Sequence, residues 1–128
     1  MLTNKLFGGV MATTARSLDL RMERQGLIQS NIANMETPGY KVKDFSFAKV
    51  MESIATGQGE LTRTNAKHIA LDPLEFSKAS TFSEAERPVD LDEEMGKLAE
   101  NQLMYQVATR IVTKKFESLR YAIDEGGK

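Results

Sequence analysis

Over the last forty residues, one set of positions recurs at alternating steps of four and three: Leu91, Met95, Leu98, Gln102, Tyr105, Thr109, Val112, Phe116, Leu119 and Ile123. Eight of these ten are apolar, a heptad seam that predicts one long helix. A second row, Met104, Ala108 and Ile111, widens the apolar face. The start is marked by Pro88 and by Asp90 with Glu93 in capping-box spacing. Asp92 and Glu94 add negative charge at that end, and Lys114, Lys115 and Arg120 lie toward the other, as the helix dipole favours. Gly96 alone interrupts the run, and Gly126-Gly127 closes it. A helix of about 35 residues would be roughly 50 Å long, a length typical of coiled coils and filaments.

The N-terminal segment has a looser version of the same pattern. Met11, Ala15, Leu18, Met22, Gln25, Ile28, Ile32 and Met35 step by fours and threes with one irregularity. The pattern predicts a helix that begins after Gly8-Gly9 and ends near Asn34 to Glu36, because Thr37 precedes Pro38. Pro38-Gly39 suits the centre of a type II turn, with glycine at positive φ. Between the helices, Phe47, Ala48, Met51, Ile54 and Ala55 fit a short amphipathic helix capped by Asp44 and stopped by Gly57-Gln58-Gly59. Residues 60–87 show neither clear period nor dense apolar content.

The fold read from this patterning is mainly α. Long N- and C-terminal helices form a coiled-coil-like helical hairpin around an irregular middle segment with a short helix. Residues 1–43 hold the first helix and its turn, 44–88 the middle segment and 89–128 the last helix, one structural domain made by both termini. Two long helices with wide apolar faces cannot bury those faces on each other alone, so the chain is expected to assemble with other subunits.

Composition narrows the chemistry. The chain has 128 residues, 17 Lys+Arg against 18 Asp+Glu, one His and no Cys. That excludes disulfides, thiol nucleophiles and Cys-type zinc sites, and a net charge of −1 argues against a nucleic-acid binder. Residues 1–43 carry six basic and three acidic side chains, whereas 89–128 carry six and eight, a weak polarity between the ends. No cleaved secretory signal or membrane-spanning stretch is recognisable. The lone His68 has no nucleophile or carboxylate beside it and reads as a surface or capping residue rather than a general base. The acidic cluster Asp90, Asp92, Glu93 and Glu94 reads as helix-start electrostatics rather than a cation site, since an EF-hand loop spacing is absent. Phosphate-binding glycine loops are absent too. The expectation is therefore no enzyme, no cofactor, no metal and no small-molecule substrate. The seven methionines fall largely on the helical rows, where packing explains them.

The most specific stretch is Asn31-Ile32-Ala33-Asn34 followed by Thr37-Pro38-Gly39-Tyr40 and Lys41. Physically it is a helix end and a turn. Asn31 and Asn34 lie on one face, where their amides satisfy free helix-end carbonyls or cross to a neighbouring chain. Tyr40 offers an apolar ring and a hydroxyl tip to an interface. This stretch closely resembles the N-terminal signature of the flagellar axial proteins, the family of rod, hook and hook-associated subunits. Val89 to Met95, Glu100 to Gln106 and Lys114-Lys115-Phe116 resemble the last helix of the short rod members, and Thr64, Asn65 and His68 match a stretch in their middle. Arg87-Pro88 stands where many members have Gly-Asn.

The resemblance implies a structural subunit of the proximal rod of the bacterial flagellar basal body, which transmits torque from motor to hook and filament. It implies export through the flagellar type III apparatus without a cleaved signal, and a place in the periplasmic space. Implied partners are other rod proteins, a rod-base adaptor protein, the inner-membrane ring and the export apparatus, with self-association in a helical assembly and no nucleic acid. Asn31, Ile32, Ala33, Asn34, Thr37, Pro38, Gly39 and Tyr40 would form the assembly signature. Leu91, Met95, Leu98, Tyr105, Val112, Phe116, Leu119 and Ile123 would form the interface seam. The patterning also suits a cytoplasmic helical adaptor or chaperone-like binding protein.

Overall fold

Proline stops a helix but glycine only weakens it, by about 1 kcal/mol relative to alanine. The first helix reflects that difference. In a computed structural model, which describes residues 2–56, 82–85 and 87–126, α1 spans Leu2–Ala33 and runs straight through Gly8-Gly9. The expected start beyond those glycines is thus corrected. Thr13 and Thr14 lie in the helix with their hydroxyls on the carbonyls of Gly9 and Val10, at 2.9 and 2.8 Å. The end falls where Pro38 requires it to. Tyr40 N–H donates to the Thr37 carbonyl at 3.2 Å, and Gly39 has φ +74°, the type II turn that Pro-Gly predicts.

Beyond the turn come β1 (Val42–Phe45), α2 (Phe47–Thr56), β2 (Phe82–Ala85) and α3 (Leu91–Gly126). The long helices pack on each other. Asn31 meets Glu94, and Arg21, ten residues earlier, meets Asn101, seven later, so the two run antiparallel as a hairpin. The architecture is mainly α with long terminal helices, as the patterning predicts. Among the described residues no helix is long and apolar enough to cross a membrane.

The middle holds a feature the patterning did not predict. β1 and β2 pair antiparallel, with Val42 opposite Ala85, Lys43 opposite Glu84, Asp44 opposite Ser83 and Phe45 opposite Phe82. Four-residue strands give too little alternation to read, and Val42 and Phe45 are buried at both ends of β1 rather than alternately. The short helix is present but differently capped. Ser46 takes the Lys49 N–H on its hydroxyl at 3.4 Å and the Val50 N–H on its carbonyl at 3.1 Å. Asp44 lies in β1, not at the cap. The buried residue of α2 is Val50, with Phe47, Met51 and Ile54 packed beside it, while Ala48 and Ala55 face out. These residues close over Leu20, Leu27 and Phe45 in a small core between α1, β1 and α2. Leu20 lies off the N-terminal heptad row, because α1 buries a second face against this module. The expected helix stop at Gly57-Gln58-Gly59, the aperiodic stretch from 60 to 81, and Thr64, Asn65 and His68 lie outside the described residues.

Candidate functional site

Asn31 is the last fully buried residue of α1. Its Nδ2 donates to the Lys43 carbonyl at 2.8 Å and to Glu94 Oε2 at 2.9 Å. Its Oδ1 accepts the Lys43 N–H at 3.0 Å and the Tyr40 hydroxyl at 3.0 Å. That is the full capacity of an amide side chain. By pairing with both main-chain groups of Lys43, Asn31 acts as a neighbouring strand would, covering the edge of β1 that β2 leaves open. One side chain thus ties together α1, the turn, β1 and α3.

The rest of the signature divides around it. Asn34 finishes the helix, donating Nδ2 to the Ser30 carbonyl at 2.8 Å and accepting the Thr37 hydroxyl at 3.3 Å. Tyr40 gives its hydroxyl proton to Asn31, so Ser30 Oγ, 3.2 Å away, donates to Tyr40. Ile32 is half-buried, and Ala33, Thr37, Pro38 and Gly39 are exposed. Of the two roles open to the amides, Asn34 satisfies a helix-end carbonyl, whereas Asn31 crosses to other elements of its own chain.

Charges surround the Asn31 hub in alternation. Arg24 of α1 grips Asp44 of β1 with two nitrogens at 3.1 and 3.2 Å. Lys97 of α3 lies 3.7 Å from Asp44 and 2.8 Å from both Glu93 and Glu94. Arg87 holds Glu93 with two bonds at 2.9 and 2.8 Å. Asp90 caps α3 as expected, accepting the N–H groups of Asp92 and Glu93 at 3.0 and 3.2 Å. The acidic run is not all helix-start electrostatics, however. Glu94 is buried and bonded to Asn31 and Lys97, and Glu93 turns to Arg87 and Lys97 instead of closing a capping box. Hydrogen bonds from Arg87 and then Lys97 pull the Glu93 carboxyl down from 4.5 to about 2. Burial pushes the Lys97 ammonium down, but its bonds to Glu93 and Glu94 outweigh that and leave it raised. Burial and Arg24 lower the Arg21 guanidinium, which stacks 3.9 Å over the Phe47 ring.

The predicted interface seam is only half inside the helix pair. Leu98, Tyr105, Val112 and Leu119 are half-buried, but Leu91, Met95, Phe116 and Ile123 are 43%, 50%, 57% and 73% exposed. The buried row of α3 is Glu94, Asn101 and Ala108 instead. It lies about 100° around the helix from the Met95, Phe116 and Ile123 line of the seam. Glu94 and Asn101 have hydrogen-bond partners on α1, and meeting them turns α3 away from its most apolar line. Leu103, Met104, Val107 and Ile111 form a further exposed apolar stripe. An open groove of about 470 Å³ separates the turn, at Thr37, Gly39 and Tyr40, from Arg87, Pro88 and Val89.

Sequence reasoning missed Arg24 and Lys97, gave Asp44 a capping role instead of its ion pairs, and missed the internal roles of Glu94 and Asn101. The signal for the last two was their seven-residue spacing beside the apolar seam. Chemically the arrangement is a saturated, charge-balanced clasp. Among the described residues no group of three His, Cys, Asp or Glu side chains is placed to hold a metal.

Comparison with known proteins adds relatives that align over most of both chains. No family model matches the chain. The flagellar basal body rod protein FlgB of Bacillus subtilis is 30% identical over 129 aligned positions, covering 96% of this chain and 98% of the relative. FlgB of Escherichia coli is 31% identical, covering 86% and 89%. FlgB of Cereibacter sphaeroides is 31% identical, covering 91% and 95%.

Proposed function

Since the chain belongs to the family of flagellar basal body rod proteins FlgB, we propose that it is a structural subunit of the proximal rod, carrying torque from motor to hook and filament. It reaches its place through the flagellar type III export apparatus and stands in the periplasmic space against other rod proteins, the rod-base adaptor and the inner-membrane ring. The observation that carries the assembly reading is the exposed apolar surface of α3. Leu103, Met104, Val107 and Ile111 lie open on a helix whose other side is already bonded to α1, and a surface of that kind calls for a protein partner. Torque then passes through many distributed helix contacts. The clasp around Asn31 supports this, because it holds the turn and both long helices as one body.

The signature residues Asn31, Ile32, Ala33, Asn34, Thr37, Pro38, Gly39 and Tyr40 divide the work in this reading. Asn31, Asn34 and Tyr40 shape the subunit, and the exposed Thr37-Pro38-Gly39 turn meets neighbours. Analytical ultracentrifugation and far-ultraviolet circular dichroism with purified rod proteins test the proposal. The chain is expected to enter complexes with them and gain helix. A chain that remained monomeric with every rod and rod-base protein would overturn it and favour the helical adaptor.

A further inference from the structure

The side of α3 that meets α1 carries two rows, each repeating every seven residues. One is apolar and half-buried: Leu98, Tyr105, Val112 and Leu119. The other, Glu94, Asn101 and Ala108, is buried and mostly polar. An apolar row of period seven makes similar contacts after a slide of one heptad, and the two rows together make comparable ones after a single turn. Apolar burial alone therefore does not choose the axial position of α3.

The polar row does choose. Glu94 Oε2 meets Asn31 Nδ2 at 2.9 Å, and Asn101 Nδ2 meets the main-chain carbonyl of Arg21 at 2.8 Å. If α3 slid so that Glu94 took the place of Asn101, a carboxylate would face a carbonyl, two acceptors in a buried site. A slide the other way sets Ala108 against that carbonyl, which loses its donor, and puts the neutral Asn101 in place of the charged Glu94 at Asn31. Only one half of the Asn101 amide is bonded. The residue is 1% exposed, and its Oδ1 has no hydrogen-bond partner. A buried acceptor left unpaired weakens a fold, whereas a polar residue among apolar helix contacts restricts the pairing to one register.

We propose that Asn101, together with Glu94, is the register-setting residue of the α1–α3 pair, trading stability for a single axial position. That position decides which exposed residues of α3 stand level with the Thr37-Pro38-Gly39 turn, and so which surface a neighbour meets. The inference concerns the isolated chain and stands or falls independently of membership in the rod.

The absence of cysteine allows spin labels to be placed freely in the full chain, at Gln29→Cys on α1 and Gln106→Cys on α3, both exposed. Pulsed electron resonance should give one narrow distance for the labelled parent. Asn101→Leu should keep its helicity, melt at the same or a higher temperature and add a second distance, displaced by a helical turn or more, about 5 Å or above. Adding Glu94→Ala should enlarge that second population. Asn101→Ala is measured alongside, because leucine's bulk could by itself prevent folding. A second distance in either folded variant supports the proposal. One unchanged distance in every variant that folds overturns it, and so does loss of the fold in both, which would make Asn101 a residue needed for stability.

Discussion

Removing the Asn31 amide leaves the part-buried Lys43 N–H and carbonyl and one buried Glu94 oxygen short of a partner, and leaves the Tyr40 hydroxyl with Ser30 alone. Asn31→Ala is therefore expected to lower stability by roughly 2–4 kcal/mol, read as a reduced urea midpoint. Asn31→Asp keeps the volume but sets a second carboxylate beside Glu94, and is expected to do no better. Glu93 gives a pH-dependent counterpart. Its folded carboxyl titrates near 2, below the unfolded value of 4.5, so its pairing stabilises the fold above about pH 4.5 and fades as pH falls toward 2. Glu93 and Arg87 are both exposed, so their share of the effect is small and screened by salt. Arg87→Gln should lower the urea midpoint at pH 6, and the gap to the parent should close as the pH approaches 2. A gap of constant size would mean that Arg87 acts through packing instead.

At the scale of the element, α3 has an inner side and an outer side that its apolar pattern does not distinguish. Leu98 is half-buried against α1, whereas Phe116, in the same predicted seam, is 57% exposed. Substituting each with aspartate separates the two sides. Leu98→Asp puts a charge into the helix pair and should reduce both helicity and assembly. Phe116→Asp should leave the circular dichroism and melting of the isolated chain within error and still block incorporation and motility. Unimpaired motility with Phe116→Asp would remove the outer part of the seam from the proposed interface. The turn is a different kind of element. Gly39 has open space where a Cβ would go, so Gly39→Val is penalised by its positive φ alone, by about 1–3 kcal/mol, and the loss should appear in the same urea titration.

For the whole molecule, the internal polar clasp stabilises the isolated subunit, and the exposed apolar stripe does not. The clasp holds α1, β1 and α3 together through Asn31, Asp44 and Lys97, whereas the stripe gains only from a neighbour. Thermal stability should thus depend on assembly: the melting temperature of the chain mixed with rod proteins is expected to rise with total concentration, as for any fold linked to association. A melting temperature independent of concentration across two decades, in the presence of those partners, would mean that the stripe is not covered by them.

Much of this was readable along the chain. A heptad pattern over thirty residues survives any tertiary detail, because 3.6 residues per turn brings every such position to one side of a helix. Proline at 38 ends α1 by steric exclusion, and glycine at 39 supplies the positive φ of the turn. Those features, with the Asn-Ile-Ala-Asn and Thr-Pro-Gly-Tyr residues, were enough for the mainly α hairpin and the axial family. Three things needed the tertiary structure. The strands are too short to leave a period. The core residue Leu20 serves a second face of α1 that becomes visible only when β1 and α2 close over it. The orientation of α3 depends on where Glu94 and Asn101 find donors and acceptors on the facing helix. Local sequence determines which residues can share a face. Which of two adjacent faces turns inward is decided by hydrogen bonds between elements dozens of residues apart, and those exist only once the chain has folded.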